Sequence, residues 1–153
     1  MHKMAKKKKT SHFDSAFVKM DGIKVYKSNI DDASNKPNGK TEVEMKLGQK
    51  IGYNLEEKKC KVELALALSL LQADKTTIAS ASFEASFHFQ VSNMDDLLDS
   101  SPESIEIDPS LPAHLVGMSY STFRGIVFER LAGTQFRNFV LPVINPYEVL
   151  KEK

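Results

Sequence analysis

The fold turns on one run, Cys60-Lys61-Val62-Glu63-Leu64-Ala65-Leu66-Ala67-Leu68-Ser69-Leu70-Leu71. Leu and Ala are strong helix formers, so composition alone favours a helix here. The spacing favours the opposite. Val62, Leu64, Leu66, Leu68 and Leu70 share one parity, and Lys61, Glu63, Ala65, Ala67 and Ser69 share the other. A helix would scatter that pattern around its circumference, whereas a strand places every second side chain on one face. The run reads as a strand with one dry face.

The neighbouring segments repeat the pattern. Upstream, Val43, Met45, Leu47, Ile51, Tyr53 and Leu55 fall on odd positions, with Gln49 the one polar break. The even positions there are Glu42, Glu44, Lys46, Gly48, Lys50, Gly52 and Asn54, and Glu56 to Lys59 make a charged turn. Downstream, after a turn at Gln72 to Lys75, residues 76–91 alternate again. Ala79, Ala81, Phe83, Ala85, Phe87, Phe89 and Val91 face one way, and Ile78, Ser80, Ser82, Glu84, Ser86, His88 and Gln90 the other. Strands in series with short loops make an antiparallel meander. A further strand is expected at Val18, Met20, Ile23, Val25 and Tyr26, with Asp21-Gly22 as a bulge that resets the alternation. The stretch from Ser28 to Lys40, with Pro37-Asn38-Gly39, reads as a loop.

A dry sheet face has to be covered. The cover is a helix beginning near Leu111-Pro112, with Ser110 as its cap and Gly133 as its stop. Val116, Tyr120, Phe123, Val127 and Leu131 form its apolar stripe, with Leu115 and Ile126 beside it. Gly117, Ser121 and Gly125 recur every four residues on another side. Such a ridge lets a second helix or backbone come close, and these residues are the candidates for an oligomer interface. The bland alternative is that the glycines only weaken the helix, by up to about 1 kcal/mol each. In the connector, Met94 to Leu98 suggest a helical turn capped by Asn93, and Ser101-Pro102 and Asp108-Pro109 mark turns. Asn145 and Pro146 start a short last helix. The expected class is α+β: a four-stranded antiparallel sheet, meander or Greek-key-like, followed by one long helix and a short C-terminal helix packed on one face. Residues 15–153 form the single domain, and residues 1–14 a disordered basic tail.

The chain has 153 residues, 27% charged and 41% hydrophobic, with a formal net charge of +1. That length supports one real core. The charge balance gives no global steering toward nucleic acid or membrane. The one cysteine, Cys60, excludes an intrachain disulfide, and a reducing cytoplasm is the expected setting. The basic start through Lys6, Lys7, Lys8 and Lys9 lacks the apolar core of a secretory signal. The longest apolar run, Leu64 to Ala73, is too short to span a bilayer.

No constellation of catalytic groups stands out. The histidines, His2, His12, His88 and His114, show no metal-ligand spacing, and no glycine-rich phosphate loop occurs, so neither metal nor cofactor is expected. Cys60 between Lys59 and Lys61 has no evident partner base. Asp95, Asp96 and Asp99 read as solvated loop acids. Arg124, off the main stripe, is expected to bind a carboxylate or backbone carbonyl. The lysine run could contact nucleic acid, but nothing aromatic interleaves with it. A nucleic-acid module and a small enzyme or ligand-binding domain are therefore the weaker readings, and no enzymatic activity is expected.

The positive signal is surplus apolar surface. Nine Phe, six Met and four Tyr sit in a small chain. One helix cannot easily cover four long strands and also bury its own second flank, so subunits pack together or apolar grooves stay open. Aromatic and Met-rich grooves suit adaptable recognition. Phe17, Met20, Tyr26, Tyr53, Phe136 and Phe139 are the candidate peptide-binding residues, chosen for apolar character near expected groove edges.

The order of elements resembles the SecB family of protein-export chaperones. The resemblance is carried by Phe87-His88-Phe89-Gln90-Val91 before the connector, and by Tyr120 and Arg124 in the long helix. It is carried also by the tail Gly133-Thr134-Gln135-Phe136, then Leu141-Pro142-Val143-Ile144-Asn145-Pro146-Tyr147-Glu148-Val149-Leu150. It covers about residues 17–150. The resemblance implies an ATP-independent holdase that binds unfolded or non-native polypeptides in long apolar grooves. It also implies a homo-oligomer, a dimer of dimers or tetramer, with the long helices at its interface. The family's acidic docking surface for the translocase motor has no counterpart here, since Asp74 is offset by Lys75 and the tail is basic. A relative dedicated to one partner, such as an antitoxin, is the alternative.

Overall fold

The computed structural model describes residues 13–32, 39–100 and 103–151. Four long strands, β1 (Val18–Asp32), β2 (Glu42–Asn54), β3 (Lys59–Leu71) and β4 (Thr77–Val91), form one antiparallel sheet in the order β1-β4-β3-β2. The last three make the expected meander. β1 lies across the sheet from its successor and pairs with β4, which makes the topology a Greek key. The connector holds a 3₁₀ turn (Met94–Leu97) and a small hairpin of β5 (Leu98–Ser100) and β6 (Ile105–Ile107). Helix α1 (Ser110–Leu131) and a short helix α2 (Pro146–Lys151) complete the chain. No helix among the described residues is long and apolar enough to cross a membrane.

The alternation read from the sequence is the alternation of burial. Cys60, Val62, Leu64, Leu66, Leu68 and Leu70 on β3 are buried, as are Ala79, Ala81, Phe83, Ala85, Phe87, Phe89 and Val91 on β4. α1 lies over these two central strands with Leu115, Val116, Tyr120, Phe123, Val127 and Leu131 turned inward. Phe87 and Phe123 meet edge to face, with ring centroids 6.3 Å apart. The helix leaves the dry-face residues of β2, from Val43 to Ile51, only half covered.

Two bulges shape β1. The register jumps between Met20 and Gly22 and again between Val25 and Lys27. Each extra residue reverses the parity of the strand. Val18 and Met20 lie opposite Val91 and Phe89, Ile23 and Val25 opposite Phe87 and Ala85, and Ile30 opposite Ala81, so all face the helix side. The first bulge was expected at Asp21-Gly22. The second, at Tyr26, was not, and it corrects the boundary: Ser28 to Asp32 belong to the strand rather than to a loop, because the far end of β4 offers them partners from Phe83 to Ala79.

Caps also differ in part. Ser110 is the first helical residue rather than the cap. The Asp108 carboxylate accepts the Ser110 N–H at 2.9 Å, and the Ser110 hydroxyl instead accepts the Phe13 N–H at 3.0 Å. Phe13 then stacks on His114, ring centroids 4.2 Å apart, so Phe13, assigned to the tail by sequence, packs on α1. Asn93 precedes the 3₁₀ turn without a side-chain cap. Gly133 takes the left-handed conformation (φ 83°) just past α1, where a Cβ would be strained. Asn145 Oδ1 accepts the Tyr147 N–H at 3.0 Å and caps α2. The expectations placed on Lys6–Lys9, Pro37-Asn38 and Ser101-Pro102 lie outside the described residues.

Candidate functional site

Residues 132–145, between α1 and α2, have neither helix nor strand, so their backbone groups need other partners. α1 supplies two of them. The Tyr120 hydroxyl donates to the Pro142 carbonyl, and Arg124 Nε donates to the Leu141 carbonyl at 3.0 Å. The two side chains lie one helical turn apart, so consecutive carbonyls are clamped along the axis. Burial of the Tyr120 hydroxyl pushes its pKa up, which keeps it a neutral donor, against a smaller opposing pull from Arg124. Leu141 and Phe136 anchor the segment in the core.

The clamp holds the segment beside α1 and opens a groove of about 720 Å³ between them. Its walls are Met20 from β1, Met118, Ser121 and Thr122 from α1, and Val143, Ile144, Pro146 and Tyr147 from the C-terminal side. Val143 is 82% exposed and Tyr147 46%. The charged group in the lining is Arg124, already committed to Leu141, and His114 sits at one end with Nδ1 bonded to the Ser110 carbonyl at 2.7 Å. The groove is apolar with a few hydroxyls, which suits contact with hydrophobic side chains. Two prolines bracket Val143-Ile144 and keep this stretch from pairing as a strand.

The six candidate peptide-binding residues do not converge. Met20 lines the groove. Phe17 is exposed just before β1, and Tyr26 and Tyr53 lie on β1 and β2, at opposite edges of the sheet. Phe136 is 1% exposed and serves the core, whereas Phe139 packs partly against it. Of the small-residue ridge, Gly117 faces its own chain: a Cβ there would sit 3.3 Å from Pro146 Cγ. Ser121 is exposed, a Cβ on Gly125 would meet nothing within 4 Å, and nearby Phe128 is 53% exposed. Sequence reasoning missed Met118, Val143, Ile144 and Tyr147 as groove walls. The available signal was an apolar pair between prolines, with no period to bury it.

The opposite face of the sheet is polar and carries two shallow depressions. A trough of about 510 Å³ lies over Gly22, Lys24, Gly52, Lys59, Lys61 and His88, and one of about 340 Å³ continues past Tyr26, Gly48, Lys50, Glu63 and Glu84. Between them the Ser86 hydroxyl, fully buried, bonds the Tyr26 hydroxyl at 3.1 Å and His88 Nε2 at 2.9 Å. This serine is enclosed beneath its neighbours, so it fixes the imidazole rather than meeting an incoming molecule. Burial pushes the Cys60 thiol up to about 12, removing the thiolate that its lysine neighbours could have favoured. Among the described residues no group of three His, Cys, Asp or Glu could hold a metal ion. Asp95 meets Lys58 at 3.7 Å on the surface.

Comparison with solved structures decides the fold. A SecB-like chaperone of Mycobacterium tuberculosis, solved in complex with a peptide from an antitoxin, superposes with a TM-score of 0.60. The match covers 85% of this chain and 92% of that one at 13% identity. The chain has a SecB-like fold. Within that SecB-like fold, the sheet, the long helix and the C-terminal helix are the elements expected from the sequence resemblance. A protein of unknown function from Streptococcus agalactiae matches more loosely, with a TM-score of 0.32 at 14% identity over 83% of this chain and 96% of that one. No family model matches the sequence, and comparison with curated proteins finds no match.

Proposed function

We propose that this protein is a SecB-like chaperone that holds non-native polypeptides, without nucleotide hydrolysis and without catalytic chemistry of its own. The observation that carries the reading is the open apolar groove between α1 and residues 142–147, kept open by Tyr120 and Arg124 on a SecB-like fold. An extended client would lay alternate apolar side chains against Met20, Met118, Val143 and Tyr147. Methionine adapts to many partners, so contact there is permissive. The exposed Gly125 and Phe128, outside the groove on α1, support self-association of the long helices, and a tetramer is the form proposed.

The neighbouring fold was solved with an antitoxin peptide, and this favours a narrower version in which the client is one dedicated partner. Purified protein should suppress aggregation of an unfolded model client in the absence of ATP. The double substitution V143D/Y147S should abolish suppression while leaving the fold intact, because both residues are exposed. Lack of suppression of any general client at several-fold molar excess, together with tight binding of one antitoxin segment, would select the narrower version. Failure of both would end the chaperone reading.

A further inference from the structure

We propose that the solvent face of the sheet carries a second binding site, for the carboxylates of an acidic, extended peptide. The site is the trough over Lys24, Lys59, Lys61 and His88. It lies on the other side of the sheet from the apolar groove and rests on different residues.

Charge is unevenly distributed along this face. Cross-strand register places Lys19, Gln90, Lys59 and Asn54 in one row, Gly22, His88, Lys61 and Gly52 in the next, and Lys24, Ser86, Glu63 and Lys50 in the third. With Asp21 on the bulge, these rows hold five lysines against two acids. At the far end the corresponding row is Asp31, Ser80, Ser69 and Glu44, which is acidic. A carboxylate-rich segment is therefore attracted to one end and repelled from the other.

The surface is shaped to admit a backbone. Gly22 and Gly52 flank His88 and Lys61 in one row, so no side chain stands at either side of the pair. A Cβ on Gly52 would meet nothing within 4 Å. The cations are available. Lys24 makes no ion pair among the described residues, and the bonds of Lys59 to Glu57 (3.8 Å) and Lys61 to Glu63 (3.2 Å) are exposed and easily exchanged. Ser86 donates to the Tyr26 hydroxyl and accepts from His88 Nε2, which fixes the imidazole beside Lys61 and keeps the floor of the trough in place. The acids Asp21, Glu63 and Glu84 lie among the lysines, which disfavours a continuous phosphate backbone and accommodates spaced carboxylates.

The test uses the full chain and fluorescent peptides of about ten residues alternating Ser with Glu, Gln or Lys, beside a single-stranded oligothymidylate of similar length, read by anisotropy. The Glu peptide should bind, and weaken as salt rises, while the Gln and Lys peptides should not. K24E/K61E should cost about tenfold or more in affinity for the Glu peptide, because two attractions at close range become two repulsions. K24Q/K61Q should give a smaller loss, and circular dichroism should show both variants folded. V143D/Y147S should leave the Glu peptide bound, and K24E/K61E should leave aggregation suppression unchanged, so this site and the apolar groove can fail separately. Equal or tighter binding of the oligothymidylate, binding of the Gln peptide, or indifference to K24E/K61E would overturn the proposal.

Discussion

Alternate residues of β4 meet opposite environments. Phe83, Phe87 and Phe89 are sealed beneath α1, whereas Ser82, Glu84 and His88 lie in the trough face among glycine, alanine and lysine. One strand thus carries both the most buried aromatic cluster and a surface of small polar residues. On the helix side, packing tolerates little change, because a lost ring leaves a cavity. On the other side, Ser86 apart, the side chains are half-buried or exposed, and their identities are less constrained by packing. Stability is concentrated on one face, which leaves the other free to acquire charge and shape.

That contrast makes graded predictions. The largest effect is expected from Phe87→Ala, which should lower unfolding free energy by about 3–5 kcal/mol in urea titrations. If the loss is below 1 kcal/mol, α1 does not seal this face as described. Alkaline pH should act next, at the β2–β3 end of the same core. Cys60 is raised from 9.0 to about 12 and its register partner Tyr53 from 10.0 to about 12, both chiefly by desolvation. In the unfolded chain these groups ionise at their ordinary values, so unfolding releases protons above about pH 9. The sign follows: their contribution is intact below pH 9 and is lost progressively as pH rises toward 12. The Cys60→Ala variant should show a shallower decline, and the native thiol should react with a disulfide reagent far more slowly than the urea-unfolded one.

A smaller loss is expected from Tyr120→Phe, which deletes one hydrogen bond to the Pro142 carbonyl and should cost about 1 kcal/mol. Its informative readout is faster amide exchange in residues 141–147, since the groove wall loses a clamp. The smallest effect belongs to the solvent face. Ser82→Ala should change stability by no more than about 0.5 kcal/mol. A large loss there would mean that this face is packed rather than open, and would erase the contrast from which the predictions start.

Much of the architecture was legible from residue order. β2, β3, β4 and the apolar stripe of α1 were read within a residue or two, because periods of 2 and 3.6 are local and survive without knowledge of partners. The cap at Asn145 and the stop at Gly133 were legible for the same reason. The second half of β1 was not, since Ser28, Asn29, Asp31 and Asp32 have loop-like composition and become strand through the partners β4 offers. The groove was legible only in part. Met20 was named, but Phe136 was placed outside although it is an anchor, because apolar character does not say which way a side chain in an irregular segment turns.

Sequence by itself determined which segments alternate, which stripe of the long helix is buried and that apolar area is in surplus, all properties of neighbours along the chain. Tertiary structure alone decided that β1 crosses to β4, that Tyr26 bulges, that Tyr120 and Arg124 hold consecutive carbonyls, and that lysines from three strands gather at one end of the open face. Those outcomes depend on pairing and register between residues far apart in the chain, where a shift of one position reverses every side chain, and no local pattern encodes that choice.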